Sequence, residues 1–189
     1  MPLARKYGYF CSGSAQASTR DAGTRLALIR NALVAPGPVA RAGLWSALAF
    51  VLNLAWEIGH ARLYSLWMQA DGPRIAWSVL HCSLGDVVIA LMVLALAGIA
   101  LRCADWPLSR PWAGGAIAVI CAMAFTAWSE WYNVYRIGAW SYTPEMPTIY
   151  GIGLSPLLQW LVIPPVLVLA YRALLPVMFG KRRTRRVKP

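Results

Sequence analysis

Asn53, Glu57, His60 and Tyr64 follow one another at intervals of 4, 3 and 4 residues. At about 3.6 residues per helical turn that spacing sets all of them on one stripe, where Glu57 and His60 can act together. In the next apolar stretch Ser78 and His81 share a face, while Asp86 lies with Cys82 on a face rotated well over a right angle from His81. One of His81 and Asp86 is therefore expected to point away from the first stretch. Farther on, Gly114, Ala118, Ala122 and Thr126 form a ridge of small residues at strict i+4 spacing, and its next step is Glu130. Small residues at such spacing let helices approach closely, so Glu130 is expected at a helix contact. Ser155 and Gln159 open the last apolar stretch, in whose middle Pro164 and Pro165 remove two backbone donors. A kink or local widening is expected there.

The elements that must position these residues are membrane spans. Of 189 residues 59% are hydrophobic and 13% charged, against about 25% charged in soluble domains, and the apolar residues come in blocks. Four blocks, 44–66, 75–101, 112–132 and 154–175, reach the roughly 20 residues that cross a hydrocarbon core. The fold class is thus an all-α integral membrane four-helix bundle, with a basic tail over 1–41, a transmembrane domain over 42–176 and a second basic tail over 177–189. Within the first tail, 24–34 reads either as a short helix in the headgroup layer or as plain disorder. No apolar run before residue 42 is long enough for a signal-peptide core, so no cleavage is expected.

The net charge of +11 would suit nucleic acid, but 12 of the 18 basic residues lie before Ala42 or after Gly180. That segregation points to orientation in a bilayer, and nucleic acid is not expected as a partner. Counting Lys and Arg gives fifteen on the side of the termini and three, Arg62, Arg74 and Arg136, on the other, which predicts both termini in the cytoplasm of a bacterial inner membrane. Cys11, Cys82, Cys103 and Cys121 form no CxxC and no paired spacing, and are read as small apolar residues.

At about 1.5 Å rise per residue, Glu57, His60, His81, Glu130 and Gln159 all fall within about 10 Å of the outer boundary, with Asp86 nearer mid-bilayer. Trp56, Trp77, Trp128, Trp131 and Trp160 lie at similar depths and are expected to wall that layer. The connection 133–155, aromatic and rich in Pro and Gly, is expected to fold back over the outer mouth. The inner half reads as almost wholly aliphatic.

Several chemistries suit such a set. Glu57 and His60 at i, i+3 resemble half of a bundle metal site, although such sites need a second motif. A haem between His60 and His81 is chemically reasonable. A transporter would explain buried charge and a broken fourth helix, but no repeat relates the two halves. The plainest alternative is that the polar groups only join helices. The reading ranked first is acid-base chemistry on a lipophilic isoprenoid or lipid, with Glu57, Glu130 and Asp86 as acids and Asn53, His60, His81, Asn133, Trp140 and Gln159 holding the ligand. Membrane lipid and a lipophilic small molecule are then the expected partners; no cofactor and no metal ligand are assigned.

The strings Asn53-Leu-Ala-Trp-Glu57, His81-Cys-Ser-Leu-Gly-Asp86, Ser129-Glu-Trp-Tyr-Asn133 and Gly151-Ile-Gly-Leu-Ser-Pro-Leu-Leu-Gln-Trp160 resemble a family of small four-span inner-membrane proteins of bacteria. The resemblance covers roughly residues 44–170 and implies the topology without an activity. The run from Glu130 to Gly138-Ala-Trp-Ser-Tyr142 is similar to the acid-then-aromatic-loop pattern of membrane carotenoid cyclases and hydratases, whose further acidic motifs have no match in this chain.

Overall fold

Proline and an N-cap decide where the long helices begin. In a computed structural model of the chain, which describes residues 36–179, α1 (Pro38–His60) starts after an extended Gly37 with proline in its first turn. Its end tightens into a 3-10 turn over Ala61–Leu63, followed by the short helix α2 (Leu66–Gln69). Helix α3 (Gly72–Ala100) is capped by Asp71, whose carboxylate accepts the Arg74 N–H at 3.1 Å. That bond satisfies one of the donors a helix start leaves orphaned. A short helix α4 (Trp106–Ser109) precedes α5 (Pro111–Trp131), which widens into a π turn over Tyr132–Ile137 and stops at Gly138, where φ is 68°. Strands β1 (Thr148–Ile149) and β2 (Ile152–Gly153) lead directly into α6 (Leu154–Phe179).

Helices α1, α3, α5 and α6 are the four long and apolar enough to cross a membrane. Each packs against its two neighbours, closing a ring in the order α1, α3, α5, α6. The chain therefore alternates direction, and the start of α1 lies at the same end as the finish of α6 (the terminal end). The opposite end, where α1 stops and α6 begins, is the loop end. Helix α6 runs unbroken through Pro164 and Pro165. Arg41 lies on α1; the expected headgroup-layer helix over 24–34 and the basic run over 181–188 lie outside the described residues.

Lipid is as apolar as leucine, so close packing and hydrogen bonds must hold such a ring together. The buried residues of α5 are Gly114, Ala118, Ala122, Thr126 and Glu130, the ridge that its i+4 spacing predicts. The terminal end is less aliphatic than expected. Trp106 is wholly buried, donates its indole N–H to the Leu94 carbonyl at 3.0 Å and meets the Trp45 ring edge-on at 5.9 Å. Trp45 in turn meets Tyr171 at 5.4 Å, Arg41 pairs with Asp105, and Arg172 donates to the Pro107 and Leu108 carbonyls. The short α4 is thereby tied beneath the bundle. Cys103 beside it is disulfide-bonded and so is not simply a small apolar residue, a pairing that spacing does not encode; Cys82 and Cys121 are free.

Gly114 is where this end is tightest. A Cβ there would sit 1.9 Å from the Trp106 ring, and the ring is pinned by its own hydrogen bond. Gly114→Ala is expected to cost about 1–3 kcal/mol by overpacking and to lower Tm in detergent. Gly115→Ala, whose Cβ would meet nothing within 4 Å, is expected to leave Tm nearly unchanged.

Candidate functional site

The loop end is closed by residues that are distant in sequence. Tyr64 and Tyr142 form an antiparallel bridge; the Ser65 N–H donates to the Ser141 carbonyl and the Thr143 N–H to the Leu63 carbonyl, both at 2.9 Å. The 133–155 connection is thus stitched to the end of α1 and folds over the bundle, as its composition suggests. The β1-β2 hairpin turns through Tyr150 and Gly151, both with positive φ (52° and 80°), the sign pattern of the two-residue turn that matches strand twist. A Cβ at Gly151 would lie 2.6 Å from the Tyr135 hydroxyl and would push that side-chain end aside.

Beneath this cover three polar groupings lie inside the ring. Deepest is an amide link: Gln159 uses both hydrogens of its amide, donating to Asn53 Oδ1 at 2.9 Å and to Asp86 Oδ2 at 2.8 Å. These side chains come from α1, α3 and α6 and are all buried. Above it stands Glu130, 7% exposed, which accepts from Tyr142 at 2.5 Å and, at a longer 3.4 Å each, from Tyr64 and the Trp140 indole. Tyr142 also accepts the Gly153 N–H at 3.0 Å, which joins the loop to the strand that leads into α6. The third grouping is His60, whose Nε2 lies 3.2 Å from Glu57 Oε1 and whose Nδ1 lies 2.8 Å from Ser155 Oγ. Tyr64 connects the last two, with its ring edge-on to His60 at 5.3 Å.

Among the expected residues, Asn53, Glu57, His60, Asp86, Glu130, Trp140 and Gln159 are gathered in this layer. Two are not. His81 is exposed on the outside of α3, stacked beside Trp77 at 6.3 Å, and it is Asp86 that turns inward. Asn133 folds back on its own helix, donating to the Ser129 carbonyl at 2.8 Å. Tyr64, Tyr142 and Ser155 complete the arrangement from outside the expected set. Tyr64 was legible on the α1 stripe, Ser155 beside Gln159 at the start of the last apolar stretch and Tyr142 in the aromatic run after Glu130, but no spacing in the sequence brings the latter two to Glu130 and His60.

The tryptophans also divide. Trp160 is buried, but Trp77, Trp128 and Trp131 are 65%, 54% and 43% exposed and form an outward belt. They do not wall the polar layer, because their positions on the helices face away from the small-residue and polar stripes. The Trp56 indole N–H is buried and has no acceptor among the described residues. His60 and His81 do not converge, and both ring nitrogens of His60 already have partners. Among the described residues no three His, Cys, Asp or Glu side chains are arranged to hold a metal ion.

Outside the ring an apolar groove of about 450 Å³ opens between α1 and α3. Leu54 and Ile58, on either side of Glu57 in sequence, line it with Trp67, Ile75, Val79 and Leu80.

Burial holds the Tyr64 phenol far above its ordinary value, and the nearby carboxylates of Glu130 and Glu57 add to that. Tyr142 is raised as well, by burial first and then by its bond to Glu130, with the Gly153 N–H opposing. A raised phenol favours the neutral donor in the folded state, so the stability it confers is fully present below the ordinary value of 10.0 and is lost as pH climbs above it. The loop end is expected to loosen progressively above that pH, read as phenolate absorbance that lags a denatured control and as faster trypsin cleavage after Arg136. Tyr142→Phe is expected to flatten the pH dependence.

A ring of four long helices with apolar surface turned outward and carboxylates, amides and a histidine turned inward defines a small multi-pass membrane protein. Compared with protein-family models, curated proteins and solved structures, the chain gives no match.

Proposed function

We propose that the polar layer at the loop end binds a lipophilic molecule, an isoprenoid or a lipid, and acts on it by acid-base chemistry, in a bacterial inner membrane with both termini cytoplasmic. The fifteen-to-three distribution of Lys and Arg supports that orientation, and under it the loop end faces outward. One observation carries the functional reading: two carboxylates, Glu57 and Glu130, stand in a common layer with His60 and two phenols, linked through Tyr64. Holding helices together needs hydrogen bonds but not a concentration of proton-transfer groups. Asp86 lies within the same field, one layer deeper. The apolar groove lined by Leu54 and Ile58 of α1 supports a ligand with a hydrocarbon chain.

The test is organic extraction of the detergent-purified protein followed by mass spectrometry, with an absorption spectrum before and after dithionite. A stoichiometric isoprenoid or lipid, lost in Glu57→Gln, is expected. The same lipid profile as an unrelated four-span protein would overturn the reading, and a reducible Soret band would replace it with haem chemistry.

A further inference from the structure

Glu57, His60 and Ser155 stand in the relation of an acid, a base and a nucleophile. Glu57 Oε1 is 3.2 Å from His60 Nε2, and a carboxylate there fixes the tautomer with the proton on Nε2. Nδ1 is then the lone-pair nitrogen, and it lies 2.8 Å from the Ser155 hydroxyl. A serine whose proton points at an imidazole, itself oriented by a carboxylate, is the arrangement that activates a hydroxyl for acyl transfer, and it is recognised by roles and distances irrespective of chain order. Glu57 and His60 are 13% and 7% exposed at their side chains, so the relay is shielded from water.

Three further features agree. Ser155 is the second residue of a 26-residue helix that begins directly after β2, where helix-start N–H groups favour developing negative charge. The Trp56 indole N–H, one turn from His60 on α1, is buried with no acceptor among the described residues, and an indole can only donate. His60 ends α1 and Ser155 starts α6, so the hydroxyl stands at the loop-end termini of two spans, the part of a membrane helix nearest the headgroups and the ester carbonyls of lipids.

We propose that Ser155 is the nucleophile of a lipid acyl-ester hydrolase or acyltransferase site, with His60 as base, Glu57 as its orienting partner and the Trp56 N–H as donor to the substrate carbonyl oxygen. This rests on the reading of the loop-end layer as a lipid site and names its substrate class. Ser155 Oγ bonds to the carbonyl carbon as its proton passes to His60 Nδ1. The bond from that carbon to the alkoxy oxygen then breaks, and His60 returns the proton to the leaving alcohol. Water, or an acceptor alcohol, gives its proton to His60 and attacks the acyl carbon, and Ser155 recovers the proton as it leaves. Ester and water become acid and alcohol with no other reactant.

The experiment treats the full-length protein in detergent with a long-chain alkyl fluorophosphonate, which bonds to an activated serine oxygen with loss of fluoride, and maps the adduct by peptide mass spectrometry. A single adduct on Ser155 is expected, with none in Ser155→Ala, labelling at least about 100-fold slower in His60→Gln, and a slowing of about 10²-fold in Trp56→Phe, the scale of one lost oxyanion donor. Site mapping in the unaltered chain keeps the test valid if a variant fails to fold. No adduct, or an adduct on another residue, overturns the proposal. Binding of a fluorescent ether-linked phospholipid, which has no ester to cleave, is measured in the same preparation. Binding without a Ser155 adduct leaves the lipid site standing and removes the catalytic serine, whereas neither binding nor adduct removes both.

Discussion

Gln159→Leu is expected to be the most damaging single substitution in the polar layer, lowering stability by about 2–6 kcal/mol. The volume change is small, so no cavity explains the loss. What goes is the amide that donates to both Asn53 Oδ1 and Asp86 Oδ2. Each buried acceptor left without a donor costs about 1–3 kcal/mol, and neither can turn to water, because Asn53 is wholly buried and Asp86 9% exposed. Interhelical hydrogen bonds in membranes are often worth less, near 0.6 kcal/mol, because the unfolded chain finds other partners in the bilayer. Here one side chain serves two acceptors on two other helices, and the orphaned groups include a carboxyl, which places the effect at the upper end. A shift of the unfolding midpoint in mixed micelles measures it. A loss under about 0.5 kcal/mol would show that the link is dispensable. Asn53→Leu combined with Gln159→Leu is expected to lose less than the sum of the two, since the first change removes one of the orphans.

Glu130→Gln is expected to loosen the loop end by about 1.5–3 kcal/mol while leaving the four spans in place. Three donors face this carboxylate, but their distances rank them. Tyr142 at 2.5 Å is in the range of a strong O–H to carboxylate bond, and Tyr64 and Trp140 at 3.4 Å lie beyond the usual contact. One charged hydrogen bond of about 1.5–3 kcal/mol therefore sets the scale. Tyr142→Phe should reproduce most of the effect and Tyr64→Phe little of it. Hydrogen exchange over residues 138–153 is the measurement, and equal effects of the two phenylalanine variants would refute the ranking. The loop responds because Tyr142 also receives the Gly153 N–H, so weakening Glu130 releases the hairpin and the start of α6 together.

Much of this was legible in the sequence, for physical reasons that also mark where legibility stops. Apolar blocks of about 20 residues can only be spans, and each falls on a long helix. The α5 ridge was readable because one residue in four stays on one face of a helix whatever packs against it. The same holds for Asn53, Glu57 and His60 on α1. Periodicity within a helix does not fix its rotation relative to another, and that is why His81 and Asp86 could not be told apart. It is also why three tryptophans at the depth of the layer face outward. Ser155 meets His60 only through the relative height of α1 and α6, set by the hairpin and the stitched loop. Trp106 reaches the core from the short connection between α3 and α5, and its one trace in the sequence is the glycine at 114 that makes room for it.

The stitching of the loop end bears on the order of biogenesis. Ser65 finds its partner in Ser141, 76 residues downstream. At roughly 5–20 residues per second, synthesis separates the two by about 4–15 s, so α1 and α3 stand in the bilayer as a hairpin with its mouth unsealed. During that interval Glu57 and His60 have neither Ser155 nor the covering tyrosines, and Asn53 and Asp86 lack the amide that later joins them. The inner faces of this hairpin thus stay incompletely paired until the last helix arrives with Ser155 and Gln159.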